Sequence, residues 1–329
     1  MASAKSRYWI ALILVVVCVP LFVKSNYVLS ILIVIGLYAI IVQGLGLLMG
    51  YAGQVSFGQA AFYGLGAYTA AILATKCDWP PVLCVLVAPF LPALVALIIG
   101  RPILRLREHY LVLATLGFGI LAFAAFNESI ALTGGPSGLT GIPYLSIGPL
   151  VLDNDRSYYY VVWGVLGLVI LAVANLTCSP IGRAFKAIHA SEQAAQSAGI
   201  DTALLKLQAF VFSAFLAGLA GGLYAFWVTF VGPSPFGFTA SIEFVLMAVV
   251  GGLGTLWGPV LGSAIIVGLA EFLRWGVPIL LPKVGGEFEI VFFGIIFVLI
   301  MLLRPQGILA PGRPSGMSGV AVKEEKCSG

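Results

Sequence analysis

The chain has 329 residues, of which 60% are hydrophobic and only 9% are charged, and its mean hydropathy is +1.08. Soluble globular domains carry about 25% charged residues, so this composition argues against a soluble fold, whose surface it could not cover. The formal net charge of +4 does not indicate a nucleic-acid partner, because the basic residues gather at the ends of apolar segments, where they orient a membrane protein.

The apolar residues fall in long blocks, and most blocks approach the ~20 residues that a helix needs to cross a bilayer. A membrane barrel would instead show alternating strands of ~10 residues. We therefore predict an all-α fold, a polytopic transmembrane helical bundle of about 8–10 spans that includes a broken helix pair. The blocks lie near residues 8–23, 27–49, 58–75, 82–99, 110–126, 158–177, 204–231, 242–273 and 288–303.

The first block follows two basic residues and resembles a secretory signal, but its exit at residues 19–24 lacks a small-x-small cleavage site. We predict that it is retained as the first span, with the N-terminus in the cytoplasm. Basic residues concentrate in cytoplasmic loops, and this orientation places most of them inside. They are Lys5, Arg7, Arg101, Arg105, Arg107, Arg183, Lys186, Lys206, Arg304, Arg313, Lys323 and Lys326.

The block at 242–273 creates a parity problem, because simple crossings throughout would leave the basic tail outside. Its middle, residues 251–259, is rich in Gly and ends in Pro, a helix-breaking composition. Broken backbone is tolerated at membrane depth only where protein or a cavity surrounds it. We therefore predict a broken hairpin of two short helices that faces the protein interior and keeps Arg274 and Lys283 outside.

The predicted organisation is one transmembrane domain over residues 1–310 and a disordered cytoplasmic tail over 311–329. Two long polar connections fall on opposite sides of the membrane: an external loop at 127–157 and a cytoplasmic loop at 179–203. The GxxxG patterns that start at Gly46, Gly218 and Gly254 predict close packing of helix backbones.

The chain offers little catalytic or metal chemistry. Its five cysteines show no C-x-x-C spacing and it has only two histidines, so we expect no metal site. The acidic cluster at Asp153 and Asp155 belongs to the external loop, which argues against a membrane enzyme. Carboxylates at membrane depth, which a proton- or sodium-coupled carrier would need, are nearly absent, and a G-x-x-x-x-G-K-[ST] motif is absent. If ATP drives this protein, a separate subunit must bind it.

The cytoplasmic loop contains the most informative segment. Ser179 and Pro180 are typical of a helix start, and Gly199 is typical of a left-handed stop. Apolar residues between them recur at helical spacing, which predicts one amphipathic helix over 180–198. Such a helix must lay its apolar face either on the membrane surface or on another protein.

Residues 182–188 and 192–200 resemble the Glu-Ala-Ala loop of ABC importer permeases, with Gln193 in place of the first alanine of the triplet. In that family the loop forms a coupling helix that sits in a groove of the ATPase subunit. The resemblance implies an ATPase-coupling role for Arg183, Glu192, Ala194, Ala195 and Gly199.

Blocks at 47–59, 132–143, 246–259 and 303–307 look like those of branched-chain amino-acid permeases, and they run in order from about residue 30 to 310. Of the two permeases that such systems pair, this chain resembles the M type. The resemblance implies a lipid-embedded permease of the bacterial inner membrane with a second permease subunit in a heterodimer, two cytoplasmic ATPases and an external substrate-binding protein. It also implies that this chain binds no cofactor and that its ATPase partner uses ATP and Mg. Close relatives carry urea or other small amides and acids, so such a solute is an alternative, as is a channel or secondary carrier.

Several polar or small residues are candidates for the substrate path. Gln54, Ser56 and Gln59 put polar atoms between two spans, where each unpaired group costs about 1–3 kcal/mol. They either line the path or form interhelical hydrogen bonds, and the sequence leaves both open. Further path candidates are Glu243, Gly254 and Thr255. Candidates for the external entrance or for contact with the binding protein are Thr133, Gly134, Gly135 and Thr140.

Overall fold

The computed structural model describes residues 25–104, 108–147 and 150–280, together with Pro20, Gly294, Ile308 and Leu309. Within these ranges the chain forms twelve α-helices and one short antiparallel strand pair, β1 (Ser146–Ile147) and β2 (Leu150–Val151). The helices are α1 (Asn26–Gly50), α2 (Gln59–Lys76), α3 (Pro81–Val87), α4 (Phe90–Ile103), α5 (Glu108–Glu128), α6 (Ile130–Thr133), α7 (Asp155–Cys178), α8 (Pro180–Ala190), α9 (Glu192–Ser197), α10 (Thr202–Val228), α11 (Phe238–Gly251) and α12 (Gly258–Leu280).

Five helical stretches among the described residues are long and apolar enough to cross a membrane. They are α1, the pair α3 and α4, most of α5, α7 and α10. The all-α polytopic bundle is therefore confirmed. Apart from Pro20 and Gly294, the predicted spans at 8–23 and 288–303 lie outside the described residues, as do Arg105, Arg107, Lys283 and the tail 311–329, so the number of spans stays a prediction.

Helix α1 lies at the centre of the bundle, because it packs against α7, α10, α11 and α12. Helix α7 is tied to it by a hydrogen bond from the Trp163 indole N–H to the Leu32 carbonyl, 3.1 Å. At the start of α7, Asp155 accepts hydrogen bonds from Ser30 of α1 (2.8 Å) and from Trp227 of α10 (3.2 Å). The acidic residue of the predicted external loop thus joins three helices.

Helices α2 and α10 approach each other more closely than side chains would allow. A Cβ at Gly66 would overlap the Gly218 backbone, and a Cβ at Gly221 would overlap the Tyr63 carbonyl. Gly218 also faces the ring of Pro92 on α4, where a Cβ would come within 2.6 Å of Cγ. Packing of backbone on backbone is the use that membrane helices make of glycine, so the predicted packing role of Gly218 is confirmed.

The predicted hairpin over 242–273 contains the expected break. Helix α11 ends at Gly251, Gly252 and Gly254 adopt positive φ angles of 107° and 76°, and α12 begins at Gly258. The two helices pack against each other. The prediction of two short helices was wrong for the second one, because α12 has 23 residues. Pro259 stands in its first turn, where proline is tolerated, and the helix then continues unbroken to Leu280.

Both long polar connections are shorter or more divided than predicted. Helix α7 begins at Asp155, so the external loop covers residues 129–154 and contains α6, a 3-10 turn at Gly135–Ser137 and the strand pair. The Lys76 ammonium at the end of α2 donates a hydrogen bond to the Ala131 carbonyl, 2.5 Å. The end of α2 and the external loop therefore lie at one end of the bundle. Helices α8 and α9 follow α7 at the other end.

Candidate functional site

Residues 51–58, which we call the connecting segment, join α1 to α2 without forming a helix. Gly53 has a φ of 68°, and the Gln54 amide donates a hydrogen bond back to the Leu48 carbonyl, 3.0 Å. The side chains of Gln54, Ser56 and Gln59 are 4%, 1% and 0% exposed. Three predicted path residues are therefore brought together in the protein interior.

Six buried polar residues lie in the connecting segment, at the start of α2 or on the helices bonded there. We call them the polar junction: Gln54, Ser56, Gln59, Thr115, Ser213 and Ser241. The Gln59 side-chain amide donates to the Ser213 hydroxyl of α10, 2.9 Å. The Ala60 backbone N–H donates to the Ser241 hydroxyl of α11, 3.1 Å, and that of Phe57 donates to the Thr115 hydroxyl of α5, 3.1 Å. The start of α2 is thus attached to three other helices.

These bonds explain how a helix can start inside an apolar bundle. The first-turn N–H groups of a helix have no partner within it, and burying them unpaired costs free energy. Ser241 satisfies one such group, and Ser56 accepts a hydrogen bond from the Gly58 amide, 3.3 Å. Thr115, Ser213 and Ser241 were not predicted as site residues, although a polar residue in an apolar span was a signal that could have found them.

The junction also contains acceptors that the protein leaves unpaired. The side-chain oxygens of Gln54 and Gln59 are buried and have no hydrogen-bond partner among the described residues, and the same holds for Gln43 on α1. Of the two alternatives for Gln59, the structure contains the interhelical hydrogen bond, which its NH₂ group makes to Ser213. Its place on the substrate path stays a prediction.

An aromatic cluster lies next to the junction along α2. Tyr63 packs edge-on against Phe236 and Phe244, with ring centroids 5.1 and 6.0 Å away, and Tyr68 packs against Phe126 at 4.8 Å. The hydroxyls of Tyr63 and Tyr68 are buried and have no hydrogen-bond partner in the part of the chain that the structure describes. None of these aromatic residues was predicted, because isolated aromatic residues are common in any apolar span.

The remaining predicted path residues are more dispersed. Thr255 serves the turn before α12: its hydroxyl hydrogen-bonds the Gly252 carbonyl at 2.9 Å and accepts from the Gly258 amide at 3.1 Å. Gly254 lies against Gly50 at the end of α1, where a Cβ on Gly50 would overlap it. Glu243 is half-buried on α11, two residues after the junction residue Ser241.

The cytoplasmic loop forms two helices rather than the one predicted over 180–198. Ser191 adopts extended backbone angles, and its hydroxyl caps α9 by accepting from the Ala194 amide, 3.3 Å. The predicted cap and stop are confirmed: Ser179 accepts from the Gly182 amide at 3.3 Å, and Gly199 has a φ of 80°. We call residues 179–199 the coupling segment.

The coupling segment buries one face and exposes the other. Phe185, Ile188 and Ala195 are buried, whereas Ile181 is 41% exposed, contrary to its predicted place on the apolar face. The residues implied by the family resemblance divide accordingly. Ala195 packs inward, and the exposed ones are Arg183, Glu192, Ala194 and Gly199.

Contacts join the coupling segment to the polar junction by two routes. The His189 ring lies against the connecting segment, where a Cβ on Gly53 would come within 2.9 Å of Nδ1, and the Lys186 ammonium lies 5.7 Å from the centre of the Tyr51 ring. The Glu192 carboxylate forms an ion pair with Lys206 of α10, 2.6 Å. Both the connecting segment and α10 contribute residues to the junction.

The predicted entrance residues form a tight turn after α6. The Thr133 hydroxyl hydrogen-bonds the Phe126 carbonyl at 2.7 Å and accepts from the Gly135 amide at 3.2 Å. Gly134 and Gly135 have φ angles of 76° and 60°, and Leu139 pairs with Val231. Thr140 is the exposed member of the four. Among the described residues, no three His, Cys, Asp or Glu side chains lie close enough to hold a metal ion.

Comparisons with known proteins find similar sequences among transport permeases. Residues 27–301 match the family described as "Branched-chain amino acid transport system / permease component". The chain is 30% identical to the high-affinity branched-chain amino acid transport system permease protein LivM of Escherichia coli (strain K12), over 95% of this chain and 77% of that protein. It is 26% identical to the permease protein LivH of the same strain and 28% identical to the permease protein BraD of Pseudomonas aeruginosa. Each of these two matches covers 84% of this chain and 92% of the relative. No solved structure matches the chain significantly.

Proposed function

Because this chain belongs to the family of permease components of branched-chain amino acid transport systems, we propose that it is the membrane-spanning subunit through which an ATP-driven importer moves branched-chain amino acids. Its relatives are transport permeases and not enzymes. The observation that carries the proposal is that the coupling segment contacts both elements that lead to the polar junction. His189 lies against Gly53 of the connecting segment, and Glu192 is paired with Lys206 of α10.

We propose a heterodimer with a second permease, because LivM and LivH are both named as permeases of a high-affinity branched-chain amino acid system in the same E. coli strain. Two ATPase subunits would bind ATP and Mg on the cytoplasmic side, since this chain carries no phosphate-binding motif. An external binding protein would deliver the substrate, and the complex would lie in the inner membrane.

The proposed mechanism is alternating access. Arg183, Glu192, Ala194 and Gly199 are exposed on the coupling segment, so an ATPase can seat against them, with the two charged side chains making strong charge-assisted hydrogen bonds. Movement of the ATPases would displace α8 and α9. The connecting segment and α10 would follow, because α8 packs on the first and α9 is paired with the second.

The polar junction is the proposed substrate path at mid-bundle. An amino acid carries an ammonium and a carboxylate, and leaving either without a partner in an apolar bundle is costly. The unpaired oxygens of Gln54 and Gln59 can accept from the ammonium, while the nearby aromatic cluster offers an apolar surface to an aliphatic side chain. Gly254 and Thr255 would act less directly, by shaping the break between α11 and α12.

Reconstitution tests the proposal. The chain is purified with its partner permease and ATPases and placed in liposomes, with the binding protein outside and Mg-ATP inside. We expect uptake of radiolabelled leucine that requires ATP and is competed by valine and isoleucine. Uptake of urea in place of leucine would support the alternative solute class, and uptake without ATP would support a channel or secondary carrier; either result would overturn the proposal. The matched control is a complex whose ATPase carries an inactivating substitution.

A further inference from the structure

An apolar groove lies between α4 and α10, separate from the polar junction. Its volume is about 460 Å³. Only two of its lining residues, Arg101 and Gln208, are polar, and none is acidic. The full lining is Ala93, Leu97, Arg101, Leu204, Leu207, Gln208, Val211, Phe212 and Phe215.

The groove has the length of one bilayer leaflet. Ala93, Leu97 and Arg101 stand four residues apart along one face of α4, so they extend over about 12 Å at 1.5 Å per residue. Half of the hydrocarbon layer is about 15 Å thick. The small side chain of Ala93 leaves room at one end, and the Phe215 ring, which packs against Phe90 with centroids 5.6 Å apart, forms a wall there.

The other end of the groove is basic. Arg101, which lines the groove, is exposed in the last turn of α4. Of the acidic residues around the start of α10, Glu192 is paired with Lys206, and Asp201 caps the helix by accepting a hydrogen bond from the Leu204 amide, 3.0 Å. An arginine at the end of an apolar groove can hold a phosphate through two parallel hydrogen bonds. Basic pockets between membrane helices on the cytoplasmic side are typical sites for acidic lipid headgroups.

We propose that this groove binds an anionic phospholipid of the cytoplasmic leaflet, with an acyl chain along Leu97 and Val211 and the phosphate at Arg101. The bound lipid would brace α10, which carries both Lys206 and the junction residue Ser213. A second permease subunit is a less suitable occupant, because it has a larger apolar surface available on α5. That helix is the least buried of the five long spans described, because only 28% of its most apolar stretch is buried within the protein.

The test uses the intact chain, purified with its partners and stripped of lipid by detergent. Phosphatidylglycerol and phosphatidylcholine of identical acyl chains are added separately, and retained lipid is counted by native mass spectrometry. We expect preferential retention of phosphatidylglycerol, and Arg101→Gln should lower that preference about fivefold, the effect of one basic residue near a membrane surface. Ala93→Phe, which fills the groove, should reduce the retention of both lipids. Arg156→Gln, at the opposite end of the bundle, is the matched control.

Three results would overturn the proposal. One is an unchanged preference for phosphatidylglycerol in Arg101→Gln when its melting temperature matches that of the parent protein. Another is a disulfide between Leu97→Cys and a cysteine of the partner permease, which would show that protein covers the groove. A folded Ala93→Phe protein that retains both lipids fully would also place the lipid elsewhere.

Discussion

At the scale of single residues, Gly66 and Gly221 determine how closely α2 and α10 approach each other. Each occupies a point where a Cβ would overlap backbone of the other helix. Backbone cannot move aside as a side chain can, so the two helices would have to separate. Because Ser213 and Gln59 belong to the same helix pair, separation would also stretch the polar junction.

We expect Gly66→Leu to destabilise the protein by at least the ~1–3 kcal/mol that is typical of overpacked cores. Its melting temperature in detergent should fall and its yield of folded protein should drop. The control is Gly164→Leu on α7, where a Cβ meets nothing within 4 Å. Equal melting temperatures for the two variants would contradict the close approach of α2 and α10.

Gln59 provides a second test at this scale. Gln59→Leu keeps the volume but removes the bond to Ser213 and the unpaired oxygen, so leucine uptake should fall several-fold while the protein still inserts. A hydrogen bond contributes about 1 kcal/mol, and the loss of that free energy in the transport step lowers the rate several-fold. The matched control is Thr75→Val on the same helix. The Thr75 hydroxyl donates a hydrogen bond to the Ala71 carbonyl one turn earlier in that helix. Normal uptake by Gln59→Leu would remove Gln59 from the path.

Local chemistry was predictable at the residue scale, and distant pairing was not. The cap at Ser179 and the stop at Gly199 follow from neighbouring residues. The partners of Gln59 and Ala60 lie 154 and 181 residues away along the chain, and the sequence alone carries no signal of such a distance. Gln54, Ser56 and Gln59 were found because polar side chains between spans require partners.

The pairing of Glu192 with Lys206 belongs to the scale of elements, because it fixes α9 on α10. Exposed ion pairs contribute only about 0.2–1 kcal/mol to stability, and the Glu192 side chain is 45% exposed. The pair is therefore better suited to positioning α9 than to holding the fold together.

We expect Glu192→Lys to abolish uptake with little change in melting temperature, because it places two cations side by side. The double variant Glu192→Lys with Lys206→Glu restores opposite charges and should recover a large part of the uptake. Asp153→Asn, a charge change at an exposed residue at the opposite end of the bundle, is the control. Full uptake by the single variant would show that the pair does not position α9.

The division of the coupling segment into α8 and α9 could have been predicted. Ser191 stands directly before Glu192, and a serine followed by an acidic first turn is typical of a helix start. The amphipathic pattern over 180–198 obscured this signal, because α8 and α9 both bury apolar residues. By contrast, the break between α11 and α12 was predictable because two independent signals, glycine content and charge parity, agreed.

Orientation is a property of the whole molecule, and two native cysteines allow a test. Cys77 and Cys178 are exposed and stand at opposite ends of the bundle. After replacement of Cys18 and Cys327 by Ser, a membrane-impermeant maleimide should label Cys77 in intact spheroplasts and label Cys178 only after the membrane is opened. The variants Cys77→Ser and Cys178→Ser identify each signal. Labelling of Cys178 in intact spheroplasts would reverse the predicted orientation.

Composition and the lengths of the apolar blocks were sufficient for the fold class, because a helix is the form in which an isolated segment satisfies its own backbone in lipid. They did not indicate which helices pack in the interior of the bundle. Helix α2 is less apolar than the recognised spans because it contains Gln59, two tyrosines, two threonines and Lys76. It is nevertheless largely buried among them.

The central position of α1 has a consequence for synthesis. In the finished protein most of this helix touches other helices rather than lipid, but α7, α10, α11 and α12 all follow it in the chain. While the ribosome is still making them, α1 must remain in the bilayer without these neighbours. Its strongly apolar sequence is therefore a requirement of insertion, and a charge placed there would block biogenesis even at a site that the completed bundle could accommodate.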